Sequence, residues 1–308
     1  MIKLTKDMLR PFTGWIKKLV LPGFDRVPIY YVISFFLRGF KKGALVTRAS
    51  SIAFNLMLAL LPSSFFLFTL IPFIPIPNFQ TELIRLFENI VPENAYILVE
   101  STIIDVITTK SGVFLVIMFF ASAIMSSNGI HALIHAFVVS DHQFETRSWV
   151  AQRRVSFSLL LIVVFLIALS ALLLIFGRDL VQILVDRHIL RTNWVFYIIM
   201  IMKWILIIAS LFLAISFLYY LAPSRKAKFR FFSAGATLAT LLFIATSLGF
   251  SAYVNNFDNY NKLYGSMGTI LVILLWLYLN SISLLIGFEL NASIKTANIS
   301  KENELTEN

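Results

Sequence analysis

Six apolar stretches, each long enough to cross a bilayer, constrain this chain more than any other feature: 49–75, 112–137, 155–177, 196–221, 231–254 and 266–292. A hydrocarbon core of about 30 Å takes about 20 helical residues to span, and runs of this length exceed what a core helix of a soluble protein needs. No water is available there to satisfy backbone groups, so each run must be helical. Composition agrees, with 58% hydrophobic and only 14% charged residues, whereas a soluble domain carries about a quarter charged. The expected fold is all-α: a polytopic membrane protein of six transmembrane helices spanning 48–293, preceded by a basic segment over 1–47 and followed by a disordered tail over 294–308.

The net charge of +10 is read by its placement. Residues 1–48 hold ten Lys and Arg, the 138–154 loop three, the 222–230 loop four and the tail two. The opposite side holds six, namely Arg85, Lys110, Arg178, Arg187, Arg191 and Lys262. The positive-inside rule then puts both termini in the cytoplasm, in a bacterial inner membrane. The same charges suit anionic headgroups, so the expected partners are membrane lipids, with a periplasmic or envelope protein as a second class and no nucleic acid. With no cysteine, disulfides, thiolate metal sites and a cysteine nucleophile are excluded.

The apolar run over 27–37 is too short to span, and Arg38, Lys41 and Lys42 follow it, so the N-terminal segment is expected to lie partly in the interface. Between spans one and two, Leu83, Leu86, Phe87 and Ile90, then Ile97, Leu98, Ile103, Ile104 and Ile107, recur at helical spacing across 76–111. This predicts short amphipathic external helices, divided at Pro92.

Polar residues inside the spans are the functional candidates, because a charge at the bilayer centre costs about 2.5–3.5 kcal/mol even on insertion scales. In span one, Arg48, Ser51, Asn55 and Pro62 form one helical stripe that should face protein. Span six runs the other way and carries Asn280, Ser283, Gly287, Glu289 and Asn291, which puts Glu289 at the depth of Arg48. Two readings stay open: the charges pair, or each reaches headgroups separately. Asn128, His131 and His135 fall near the same end of span two. Histidines at i and i+4 share a face as metal ligands would, yet no Glu follows the first, and an interfacial polar face is the blander account. Lys203 either snorkels to the outer interface or faces a cavity that attracts an anion. Gly235 with Ala239, and Ala245 with Gly249, are small residues four apart that permit close helix approach. Phosphate loops, G-x-S-x-G and H-E-x-x-H motifs are missing, so neither an enzyme nor a cofactor is expected.

The segment RASSIAFNLMLALLPSSFF from Arg48 resembles the opening span of the YihY family, also called the virulence factor BrkB family. Ser126 to Ala136 with ETRSWVAQRR, then LAPSRKAKFRFFSAGA, then YVNNFDNYNKLYGSMGTILVILLWLYLNSISLLIGFELNA, resemble its later spans in the right order. Tyr264, Gly265 and Gly268, with Gly235 and Gly249, are the structural positions of these stretches. The resemblance covers 48–292 and implies an inner-membrane protein linked in some members to serum resistance and to tolerance of altered outer-membrane lipid. Some members carried a ribonuclease BN label. Metal-dependent cleavage needs clustered His and Asp, and here His131, His135, His142 and His188 are divided between opposite sides. Two functions follow as expectations: movement or handover of an amphipathic envelope substrate such as a lipid, or a scaffold for envelope-assembly or serum-resistance factors.

Overall fold

The computed structural model describes residues 28, 32, 45–73, 111–138, 147–186, 193–223, 230–255 and 260–306. Six helices fill these segments: α1 Leu45–Leu70, α2 Gly112–Val138, α3 Trp149–Asp186, α4 Asn193–Leu221, α5 Ala234–Asn255 and α6 Tyr260–Thr306. No strand occurs among the described residues. Each helix contains a window long and apolar enough to cross a membrane. The expected external helices of 76–111 and the interfacial N-terminal segment lie outside the described residues, apart from Pro28, Val32, 45–47 and Ser111.

Local chemistry sets the helix ends. Ser111 Oγ accepts from the Phe114 amide at 3.4 Å, and Ser233 Oγ accepts from the Ala236 amide at 3.2 Å. Each hydroxyl satisfies a donor that a helix start would otherwise leave unmet. At the other ends, α1 gives way to a 3-10 turn at Ile71–Phe73, which contains Pro72, and α4 stops two residues before Pro223. Proline disfavours helical backbone in the residue before it. Pro62 lies inside α1 without ending it, as transmembrane helices allow when neighbours surround the freed carbonyl.

Among the boundaries that differ from the sequence expectation, two have a cause visible in the contacts. The fifth span starts at Ala234 rather than 231, because Phe231 and Phe232 precede the helix and pack on α4 rings: Phe231 against Phe217 at 4.8 Å, Phe232 against Phe212 at 5.8 Å. The tail expected to be disordered from 294 continues α6 through Thr306. No Gly or Pro interrupts 292–306, and Ile294 and Ala297, three apart on one face, are buried with Val32. Apolar contact at helical spacing outweighs the polarity of the rest.

Each helix touches its neighbours in chain order, and α6 closes the circle on α1, with α6 also reaching α2. The result is a ring of three consecutive helix pairs. We call the end where α1 begins and α2, α4 and α6 arrive the terminal end. Its centre is filled by Phe137, Tyr219 and Phe288, all fully buried. Phe137 and Phe288 stack at 4.3 Å, and Tyr219 stands edge-on to both at 5.6 and 5.9 Å. Lipid tails are as apolar as these side chains, so close packing and polar contacts, not water exclusion, hold such a bundle together.

Candidate functional site

Arg48 sits in the first turn of α1, and Glu289 reaches the same depth on α6, which runs the opposite way. The Arg48 Nη2 group donates to Glu289 Oε1 at 2.7 Å. Both side chains are withdrawn from solvent, at 8% and 0% exposure. Of the two sequence readings, pairing is the one the structure shows. A lone charge at this depth would be far more expensive than the pair, since each ion compensates the other's desolvation. Only one guanidinium nitrogen is engaged, and Arg48 Nε and Nη1, although buried, have no hydrogen-bond acceptor among the described residues.

Asn280 and Asn291 are committed to holding α6 against α5. Asn280 Nδ2 donates to its own helix at Trp276 O, 2.9 Å, while its Oδ1 accepts from Ser247 Oγ at 3.4 Å. Trp276 Nε1 donates to the same Ser247 at 3.3 Å, and Thr246 and Ser283 share a hydroxyl contact at 3.2 Å. Further along, Asn291 Oδ1 accepts from the Gly235 amide at 2.8 Å, and its Nδ2 donates to Ser233 Oγ at 2.8 Å. Asn291 therefore caps the start of α5 from another helix. Gly235 and Gly287 make this approach achievable: a Cβ on Gly235 would collide with the Gly287 carbonyl, and one on Gly287 would stand 2.5 Å from the Gly235 carbonyl.

The remaining candidates divide. Asn128 Oδ1 accepts from Arg153 Nη1 at 2.7 Å and so ties α2 to α3. The α1 stripe does not face protein throughout. Ser51 is exposed, Asn55 is half-buried and turned back on its own helix at Ser51 O, 2.9 Å, and Pro62 is half-buried. The buried face of α1 is centred on Ala49, Ile52, Ala53 and Ala59, which leaves the Arg48 stripe at its margin. Gly249 has no close neighbour on its Cβ side, since a Cβ there meets nothing within 4 Å. Gly268 is buried, and Tyr264 and Gly265 fall in the first two turns of α6. Lys203 lies far from the ion pair, in the other half of the ring, with Nζ 5.8 Å from the Trp204 ring centre. His131 is half-buried and His135 exposed. Among the described residues no three His, Cys, Asp or Glu side chains group as metal ligands would.

Sequence reasoning passed over Arg147 and Tyr219. Arg147 Nη1 donates to Ala222 O at 2.9 Å, and Nη2 to Pro223 O, capping the end of α4 with positive charge. Tyr219 donates from its hydroxyl to Leu284 O at 2.5 Å, joining α4 to α6. In the sequence Arg147 reads only as topological charge; its reach from just before the start of α3 to the end of α4 is a tertiary fact. Tyr219 offered a weak signal as a phenol inside an apolar span, where an O–H needs a partner.

Three of these contacts fasten one pair to another toward the terminal end: Arg48 with Glu289, Asn128 with Arg153, and Tyr219 with Leu284. The other half of the ring differs. Beyond Ala59, α1 buries only Thr69; α2 has no buried residue before Ser122, and the parts of α5 and α4 whose burial is described have none after Thr240 and none before Ser210. Contact persists within pairs, as with Phe66 on Phe119 at 5.5 Å and Phe243 on Trp276 at 6.1 Å. The surfaces left accessible are apolar, including Val116, Ile117, Phe120, Ile205, Leu248 and Leu271. Among the described residues the terminal end is thus the more buried and polar-stapled half, and the opposite half, called here the open half, keeps more of its apolar side chains accessible.

The sequence profile of the family described as Virulence factor BrkB matches residues 36–307. A ribonuclease-like protein of Bacillus subtilis, YfkH, is 30% identical over 250 residues, covering 80% of this chain and 88% of its own length. A UPF0761 membrane protein of Coxiella burnetii is 26% identical over 266 residues, covering 83% and 90%. One from Idiomarina loihiensis is 36% identical over 92 residues, covering 30% and 32%. No solved structure matches.

Proposed function

We propose, from the premise that this chain belongs to the virulence factor BrkB family, that it is a non-enzymatic integral membrane protein which moves or hands over an amphipathic envelope lipid. The observation that carries this reading is the one-sided packing. Apolar side chains that stay accessible in the half remote from Arg48 offer acyl chains a surface continuous with the bilayer, while buried rings and polar contacts fill the terminal end. The excess of Lys and Arg on the terminal side supports placing that end in the cytoplasm of an inner membrane, with the open half toward the periplasmic leaflet.

The ribonuclease-like name of the Bacillus relative would require a group that activates water at the phosphodiester, commonly a metal held by clustered His and Asp. The four histidines of this chain suit that chemistry poorly in the proposed topology. A scaffold role is the second reading, and the commitment of Asn280 and Asn291 to the α5–α6 seam favours it, since those polar groups hold helices and leave little for a substrate. Reconstitution into liposomes containing a headgroup-labelled phospholipid separates the two. Lipid transfer between leaflets faster than in protein-free vesicles is expected; an unchanged rate would remove transport and leave handover or the scaffold.

A further inference from the structure

We infer that Arg48 is a recognition site for a phosphate-type oxyanion, the headgroup of the lipid proposed above, and that Glu289 is the resident anion which holds the site when no headgroup is there. Guanidinium presents five N–H donors, and a monodentate contact through Nη2 uses that group alone. The Nε and Nη1 groups are buried without an acceptor among the described residues. Glu289 Oε2, also buried, makes no hydrogen bond among the described residues, yet one oxygen is fewer than the three N–H groups on Nε and Nη1. Buried donors in native proteins are almost always met, so the site is built for more acceptor oxygens than Glu289 alone supplies. Phosphate fits that need better than a neutral headgroup, because it brings several acceptor oxygens and a charge, and planar guanidinium is suited to both.

Position argues for the same class of ligand. Arg48 lies three residues into α1, roughly one helical turn, about 5 Å, from its start, near the level where phosphates of the terminal-side leaflet lie. A phosphate arriving there adds negative charge beside Glu289. It thereby weakens the one ion pair described between α1 and α6, the two helices that close the ring. Headgroup binding and loosening of the α1–α6 seam are then coupled events.

This inference rests on the lipid reading, and the test separates the two. Binding to the purified full chain in detergent is measured by native mass spectrometry and thermal shift with three probes: phosphatidylglycerol, diacylglycerol with the same chains, and inorganic phosphate. The wild-type chain is expected to prefer phosphatidylglycerol over diacylglycerol by about tenfold or more, the scale of a charge-assisted hydrogen bond. Glu289→Gln should widen that preference by removing the competing carboxylate. Arg48→Gln/Glu289→Gln leaves no buried charge to unfold the protein, and should abolish the preference while diacylglycerol still binds. Equal binding of the two lipids by the folded wild type would overturn the site and leave lipid handling intact; binding of neither would overturn both. Inorganic phosphate that binds as tightly as phosphatidylglycerol would support the oxyanion site and assign it to the free ion.

Discussion

Arg48 and Glu289 make the sharpest prediction at the scale of single residues. Replacing either alone with Ala leaves a buried, uncompensated charge and should lower stability by about 3–5 kcal/mol, whereas Arg48→Met with Glu289→Leu should lose much less. Unfolding in mixed detergent, followed by tryptophan fluorescence, measures both; equal losses for the single and double variants would show that the pair does not act as a unit. Gly235 and Gly249 provide a second contrast. Gly235→Ala drives a methyl group into the Gly287 carbonyl and Asn291 and should cost about 1–3 kcal/mol. Gly249→Ala meets nothing and should be neutral or gain up to about 1 kcal/mol from helix propensity. Much of this was legible in the sequence, since opposed helix directions set Arg48 and Glu289 at one depth. Which glycine meets a neighbour was not legible, because small-residue spacing recurs along α5 and only tertiary packing chooses between Gly235 and Gly249.

At the scale of elements, α5 begins under a cap supplied by α6. Asn291→Ala should cost about 1 kcal/mol, as loss of a helix cap does, and should speed amide exchange in the first turn of α5 while leaving the start of α2, capped by its own Ser111, unchanged. Uniform change across both helix starts would contradict the cross-helix cap. The six spans were readable from apolar length alone, because the bilayer demands helices and sets how long they must be. The continuation of α6 to Thr306 was not, since 294–306 carries the polarity of a tail and its contact with Val32 joins residues far apart in sequence. Amides of 294–299 should accordingly exchange slowly; rapid exchange there would restore the disordered tail.

At the scale of the whole molecule, burial among the described residues gathers toward the terminal end while apolar side chains of the open half stay accessible, and this asymmetry has no counterpart in the hydropathy of the spans, which are apolar along their full length. Toward the terminal end Arg48 meets Glu289, Asn128 meets Arg153, Tyr219 meets Leu284 and Asn291 meets Gly235, and a sequence does not reveal which polar residues will meet. Orientation can be checked on a chain without native cysteine. A membrane-impermeant maleimide applied to intact cells should label Asn89→Cys and spare Gln143→Cys, and the reverse pattern would invert the proposed topology. The central claim is that the open half receives lipid. A cryo-EM structure in nanodiscs of native lipid tests it most directly: elongated acyl density between the helix pairs, in the half remote from Arg48, is the predicted result, whereas pairs packed against one another along their full length with no density between them would contradict it.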